Sequence, residues 1–202
     1  MTQTPDTRLR PALATAALAL AAVALAACGA AGSSSTAPSA AGSPVDANTS
    51  GDIPDTQAYV AFVPTSGGYS LKVPEGWTRT ADGSSVTFSS HFDSIRVETQ
   101  PAPQAPTIAS ATSLELPALR SATPGFLLRD VTSVRRAAGD AVLIRYSAQS
   151  HADPVTGRSV KLNLERYEFW RAGTQAALTL ADPTGSDNTD PWHTVTDSFS
   201  WR

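Results

Sequence analysis

Every aromatic residue of this chain, four Trp, four Tyr and six Phe, falls between Tyr59 and Trp201. Large rings contribute much of the apolar area that a core buries, so only that stretch can build one. It is one domain's worth of chain. The sole cysteine, Cys28, lies ahead of it, and an unpaired cysteine cannot staple a fold. The domain must therefore be held by side-chain packing alone.

Ahead of the aromatic region, Arg8 and Arg10 precede an uncharged run, PALATAALALAAVALAA, that ends at Cys28. A membrane-spanning helix needs ~20 predominantly apolar residues. This run is shorter and rich in alanine, and its basic start fits a secretory signal. Leu25, Ala26, Ala27 and Cys28 resemble the lipobox of bacterial lipoproteins. The resemblance implies that residues 1–27 are removed and that Cys28 becomes a lipidated N-terminus carrying acyl chains such as palmitate. Each buried methylene contributes ~0.8 kcal/mol and a single chain holds only marginally, so several chains on one cysteine anchor durably. The expected location is the outer face of the cell membrane. Residues 29–50 contain one valine and no aromatic residue, too little apolar surface to offset the entropy of ordering. Residues 28–57 are therefore expected to be a lipid-bearing tether, with a reach of ~30 Å, and residues 58–202 the folded domain.

The whole chain carries a net charge of −3, and losing Asp6, Arg8 and Arg10 with the leader makes it more negative. A nucleic-acid footprint needs a basic face, so nucleic acid is not an expected partner. Electrostatic binding to anionic lipid is disfavoured for the same reason.

Within the domain the apolar pattern alternates. YVAFVP and GYSLKVP read as strands ended by prolines. WTRTA, a turn at Asp82-Gly83, SVTFSSH and SIRVETQ read as a meander with Val86, Phe88, Ile95 and Val97 inward. TIASATSLELPALRSATPGF reads as helical through Ile108, Ala111, Leu114 and Leu119, with two short helical pieces or a break expected at Pro117. Four strands follow. Val142, Ile144, Tyr146 and Ala148 share one face. In VKLNLERYEFWR the apolar face switches from Val160, Leu162 and Leu164 to Tyr167 and Phe169. That switch requires either a bulge near Glu165–Arg166 or cover on both faces. A turn at Ala172-Gly173 leads into the last of these strands. TDPWHTVTDSFSW reads as a final helix with Asp190 as N-cap and Pro191 at its first helical position. Strands with a central and a terminal helical segment give an α+β fold, a sandwich on a mostly antiparallel sheet.

Together GYSLKVPEGW, SVTFSSHFDSIRVET, TPGFLLRDVTSVRRAAGDAVLIRYSA and DSFSW resemble a PsbP-like domain. The resemblance covers Tyr59 to Trp201 and implies an α/β/α sandwich with an antiparallel sheet. More narrowly, DPVTGR, ERYEFWRAG and ALTLADPTGSDNTDPW resemble actinobacterial lipoproteins associated with membrane transport systems. Members of such families are mostly non-enzymatic binding or assembly factors, and the resemblance carries over no catalytic residue. It does not imply a photosystem role.

The residues themselves point the same way. There is no G-x-S-x-G nucleophile turn, no phosphate-cradling glycine loop and no dinucleotide fingerprint, so neither an enzyme nor a cofactor is expected. Asp182, Asp187, Asn188 and Asp190 gather like oxygen ligands but lack the spacing of a calcium loop. Turn formation and helix capping explain them, and no metal is expected. Arg135 and Arg136 read as a solvated pair. Trp77, Phe88, Tyr167, Phe169 and Phe199 are assigned to packing, while Trp170, Trp192, Asp187 and Asn188 are the candidate partner or ligand surface. Three functions follow. The first is a monomeric, non-catalytic accessory domain serving a membrane-protein partner such as a transport system. The second is a receptor for a small apolar or lipidic ligand held between sheet and helix, and the third an envelope hydrolase.

Overall fold

The computed structural model describes residues 51–66, 68–153 and 155–202. Cys28 and the expected leader lie outside these residues. Seven strands form the main sheet: β3 (Thr78–Asp82), β4 (Ser85–Ser90), β5 (Asp93–Pro101), β6 (Leu127–Arg136), β7 (Gly139–Gln149), β8 (Lys161–Arg171) and β9 (Thr174–Pro183). Their order is β3-β4-β5-β9-β8-β7-β6, and each ladder is antiparallel. A smaller sheet joins β1 (Tyr59–Phe62), β2 (Tyr69–Pro74) and β10 (Ser200–Trp201).

The small sheet and α3 (Thr189–Ser198) cover one face of the main sheet. Tyr69, Leu71 and Val73 from β2, with Trp192, Val195 and Phe199, meet Val86, Phe88, Ile95, Val97, Leu143, Tyr167, Phe169, Leu178 and Leu180 there. Phe169 and Phe199 stack with centroids 4.7 Å apart. Trp77 packs against this cluster from its edge. The other face carries a second cluster. There Val142, Ile144, Tyr146 and Ala148 of β7 pack with Ala111 and Leu116 of the central helical segment. The fold is therefore α+β, with helical cover on both faces of an antiparallel sheet.

Of the alternatives expected at Pro117, no break occurs, and the segment has two short α-helical pieces joined by a π turn ahead of the proline. α1 (Ile108–Ser110), a π-helical turn (Ala111–Glu115) and α2 (Leu116–Ala122) run on without a gap. The Leu116 N–H bonds the Ala111 carbonyl, five residues back. This wider turn, placed just ahead of Pro117, takes up the proline's missing donor and ring. It also re-phases the helix, so the buried pair is Ala111 and Leu116, while Ile108 and Leu114 are exposed.

Strand β8 resolves its own ambiguity. Glu165 and Arg166 pair in unbroken register with β7 and β9, so there is no bulge and both faces are covered. The irregularity of the sheet lies instead on β6, between Leu128 and Asp130. Ala172 and Gly173 form the expected hairpin turn, with φ of 47° and 85°. The helix α3 begins earlier than expected: Asn188 is its N-cap and Asp190 lies within its first turn. Asp187 ties off the approach by accepting from the Thr189 hydroxyl at 3.0 Å. Residues 51–57, expected in the tether, pack on the domain, because Ile53 enters the main core.

Candidate functional site

The central helical segment covers only part of its sheet face, and the uncovered part is a groove of about 690 Å³. One wall is apolar. Leu119 and Ala122 of α2, Tyr146 and Ala148 of β7, and Leu162 and Leu164 of β8 form it. The opposite wall is polar, built from Thr87 and Ser89 of β4, Ser94, Arg96 and Glu98 of β5, and Thr179 of β9. His91 and Phe92, from the β4–β5 turn, and His151, from the β7–β8 loop, lie at one end.

Arg166 lies in the floor with its side chain 9% exposed. Its Nη1 donates to Glu98 Oε2 at 3.2 Å and to Thr179 Oγ1 at 3.3 Å, and its Nε donates to Glu168 Oε1 at 3.2 Å. Glu115, on the π turn, approaches Arg166 Nη2 at 3.9 Å and so links the helical cover to the sheet. Arg96 holds the other oxygen of Glu98 at 2.8 Å. Burial alone would raise the Glu98 carboxyl, but Arg96 and Arg166 outweigh it and the net shift is downward. Glu168 is shifted upward, chiefly by burial and against the pull of Arg166. Its Oε2 has no hydrogen-bond partner among the described residues. Burial also raises the Tyr146 phenol on the apolar wall. Such a surface presents hydrocarbon to one side of a ligand and fixed donors and acceptors to the other.

Of the four residues expected to form a partner surface, Trp170 lies apart from the other three. Trp170 sits beside the β8–β9 hairpin, half-buried, and donates from Nε1 to the Ala102 carbonyl at 2.8 Å. Trp192, Asp187 and Asn188 lie beyond the far end of β9. Trp192 is 6% exposed and belongs to the core, and Asn188 is 2% exposed. Both are largely buried, yet each lines a cavity of about 280 Å³ that Arg129, Arg136, Arg145 and Asp182 also border. Asp187 alone of that group is exposed.

Sequence reasoning missed the groove although its signal was present. β8 alternates Leu162, Leu164, Arg166 and Glu168 along the face away from the main core, and apolar residues followed by buried charge describe a lined cleft. Among the described residues no cluster of three or more His, Cys, Asp or Glu is placed to hold a metal. No helix among them is long and apolar enough to cross a membrane. Ser90 Oγ lies 3.3 Å from His91 Nδ1, a contact between chain neighbours.

The sequence matches no family description and no curated protein. The fold is similar to the solution structure of cyanobacterial PsbP from Synechocystis sp. PCC 6803, with a TM-score of 0.50 and 15% identity over 75% of this chain and 98% of that one. A more distant likeness links it to LpqN of Mycobacterium tuberculosis, a protein involved in cell envelope biogenesis (TM-score 0.41, 13% identity, 74% of this chain and 87% of that one). A Bacteroides thetaiotaomicron protein matches with a TM-score of 0.45 and 11% identity over 70% of this chain, which spans only 48% of its length. The fold is PsbP-like.

Proposed function

We propose that this chain is a lipid-anchored, extracytoplasmic binding module of the actinobacterial lipoprotein type, without catalytic activity, whose ligand lies in the helix-side groove. The observation that carries the reading is the groove itself, with its apolar and polar walls facing each other across a buried Arg166. The ligand class it suits is a small lipidic amphiphile. About six buried methylenes would supply about 5 kcal/mol gross, which an association cost of about 4 kcal/mol or more largely cancels. The polar wall supplies the remaining affinity and the choice of head group. Anchored through Cys28, the module would hold such a ligand beside a membrane-protein partner, where tethering raises its effective concentration.

Ala122 is exposed on α2 and lines the groove, so Ala122→Trp fills the cleft from its wall without disturbing the core. Full-length protein extracted from membranes is expected to release a non-covalent amphiphile on denaturation, and Ala122→Trp to release little while melting at the same temperature. Equal release from both proteins, or none from either after incubation with palmitate and phosphatidylglycerol vesicles, would remove the groove as the ligand site.

A further inference from the structure

Asn188 occupies a corner where three distant parts of the chain meet. Its Oδ1 accepts the Ile53 N–H at 2.7 Å, and its Nδ2 donates to the Gly51 carbonyl at 2.9 Å and to Asp93 Oδ1 at 3.2 Å. Beside it, the Asp187 N–H donates to Asp52 Oδ1 at 2.9 Å. Gly51, at φ +104°, passes so close to the β9–α3 loop that a Cβ would lie 2.5 Å from Ser186 Oγ and 2.8 Å from Pro183 Cγ. Residues 51–53 are thus fastened to the body by side-chain hydrogen bonds, one apolar anchor and a close backbone approach.

The fastening stands on acids. Asp93, at the start of β5, and Asp182, near the end of β9, are 6% and 7% exposed. The groups that act on Asp93 are the Asp182 carboxylate, the Asn188 amide and Asp52 of the fastened segment itself. Asp182 faces the Trp192 indole N–H at 3.4 Å, the Asn163 amide and Glu165 of β8, and Arg129 of β6. His91 lies two residues before Asp93 on the same turn. Arg129 moderates Asp182, whereas the group that most lowers Asp93 among the described residues is the Asn188 amide. Burial and then Asp182 push Asp93 up to about 7, and burial pushes Asp182 up to about 6.

We propose that residues 51–57 form a strap, latched through Asn188 to the Asp93–Asp182 pair, that lets go when both carboxylates are ionised. The proposal requires neither a ligand in the groove nor a lipid on Cys28. With one proton retained, the pair presents a single negative charge and Asn188 satisfies it. With both ionised, the strap holds a third acid, Asp52, against two buried charges. Undocking hydrates the pair, withdraws Asp52 and surrenders the burial of the Ile53 side chain and the Asn188 hydrogen bonds. Strap residues line a cavity of about 430 Å³ with Trp77, Phe92 and Pro183. His91, Phe92 and Asp93 line both that cavity and the groove, so the two share a wall.

Amide hydrogen exchange of the full-length chain tests this, with the intrinsic rate divided out at about pH 5.5 and about pH 8.5. The Ile53 amide is expected to lose protection about tenfold or more between them, while the Leu178 amide in β9 stays unchanged. Asp93→Asn keeps the Oδ1 acceptor and should hold Ile53 protected at both pH values. Gly51→Ala should leave Ile53 unprotected at both, confirming that this amide reports strap docking. The proposal is overturned if wild-type Ile53 protection is independent of pH, if Leu178 loses protection with it, or if Asp93→Asn behaves as wild type.

Discussion

Arg166→Met is the perturbation whose consequence the structure fixes most sharply. It keeps an apolar stem and removes the guanidinium, so that Glu98, Glu115 and Glu168 face each other without it. Glu98 retains Arg96 at 2.8 Å, and Glu115 is 28% exposed and can turn outward. The burden falls on Glu168, which is fully buried. Removing one partner of a buried ion pair costs about 3–5 kcal/mol, because the other charge is left uncompensated. Glu168→Gln should behave differently, although it breaks the same 3.2 Å pair. The amide oxygen still accepts from Arg166, Arg166 keeps Glu98, and the carboxylate oxygen without a partner is replaced by an amide group. The expected cost is within about 1 kcal/mol, so the variants should differ by about 2–4 kcal/mol. Urea unfolding followed by tryptophan fluorescence resolves this as a midpoint difference of about 1–2 M. The pH dependence adds a second check. The folded-state pKa of Glu168 is raised, so its charge costs stability as pH rises from its unfolded value through the folded one, and none below that window. The Arg166→Met penalty should therefore shrink on acidification to about pH 4. Equal penalties for the two variants at neutral pH, or a penalty for Arg166→Met that ignores acidification, would refute the assignment of Arg166 as counter-ion to a buried acid.

Trp170 and Trp192 should separate in energy. Trp192→Ala empties a core site and is expected to cost about 3–5 kcal/mol in the same unfolding assay. Trp170→Ala loses a half-buried ring and one hydrogen bond, for about 1–2 kcal/mol. Cys28→Ala is expected to move the protein from the membrane to the soluble fraction on cell fractionation, and stable membrane retention would disprove anchoring through that residue.

Much of the architecture was legible because burial on one face writes itself into alternation. Val86, Phe88, Ile95 and Val97 were assigned inward from period alone, and all are buried. The failures share a different cause. Pro117 signals a break only if the helix keeps its usual pitch, and a π turn changes the pitch without any residue that announces it. Asn188 and Asp190 are both cap-type residues, but Asn188 holds the N-cap position without a side-chain capping bond, its amide being engaged by Ile53 and Asp93, which are remote in sequence. Trp192 occupies a helix face that periodicity describes correctly, but which face turns inward depends on β2 and the main sheet. Local patterns set the elements, while the partners across the core decided which side of each was hidden.

The same logic explains why charge ended up inside this domain. A central strand covered on both faces has no solvent side on which to leave its polar residues. β8 is such a strand: Tyr167 and Phe169 fill the main core, so Arg166 and Glu168, alternating with them, are forced against the helical cover. They are tolerated because Glu98 from β5 and Glu115 from the π turn complete the set. β5 and β9 meet the same constraint where they end, and Asp93 and Asp182 are trapped beneath the N-terminus of α3. There the described group that most favours the Asp93 charge is the Asn188 amide. The difference sets the two regions apart mechanically. A charge matched by guanidinium groups stiffens the groove floor at any pH near neutrality, whereas one matched by Asn188 holds only while a proton is shared. The rigid floor and the conditional corner meet at His91–Asp93, and that is where a ligand in the groove would sense the state of the strap.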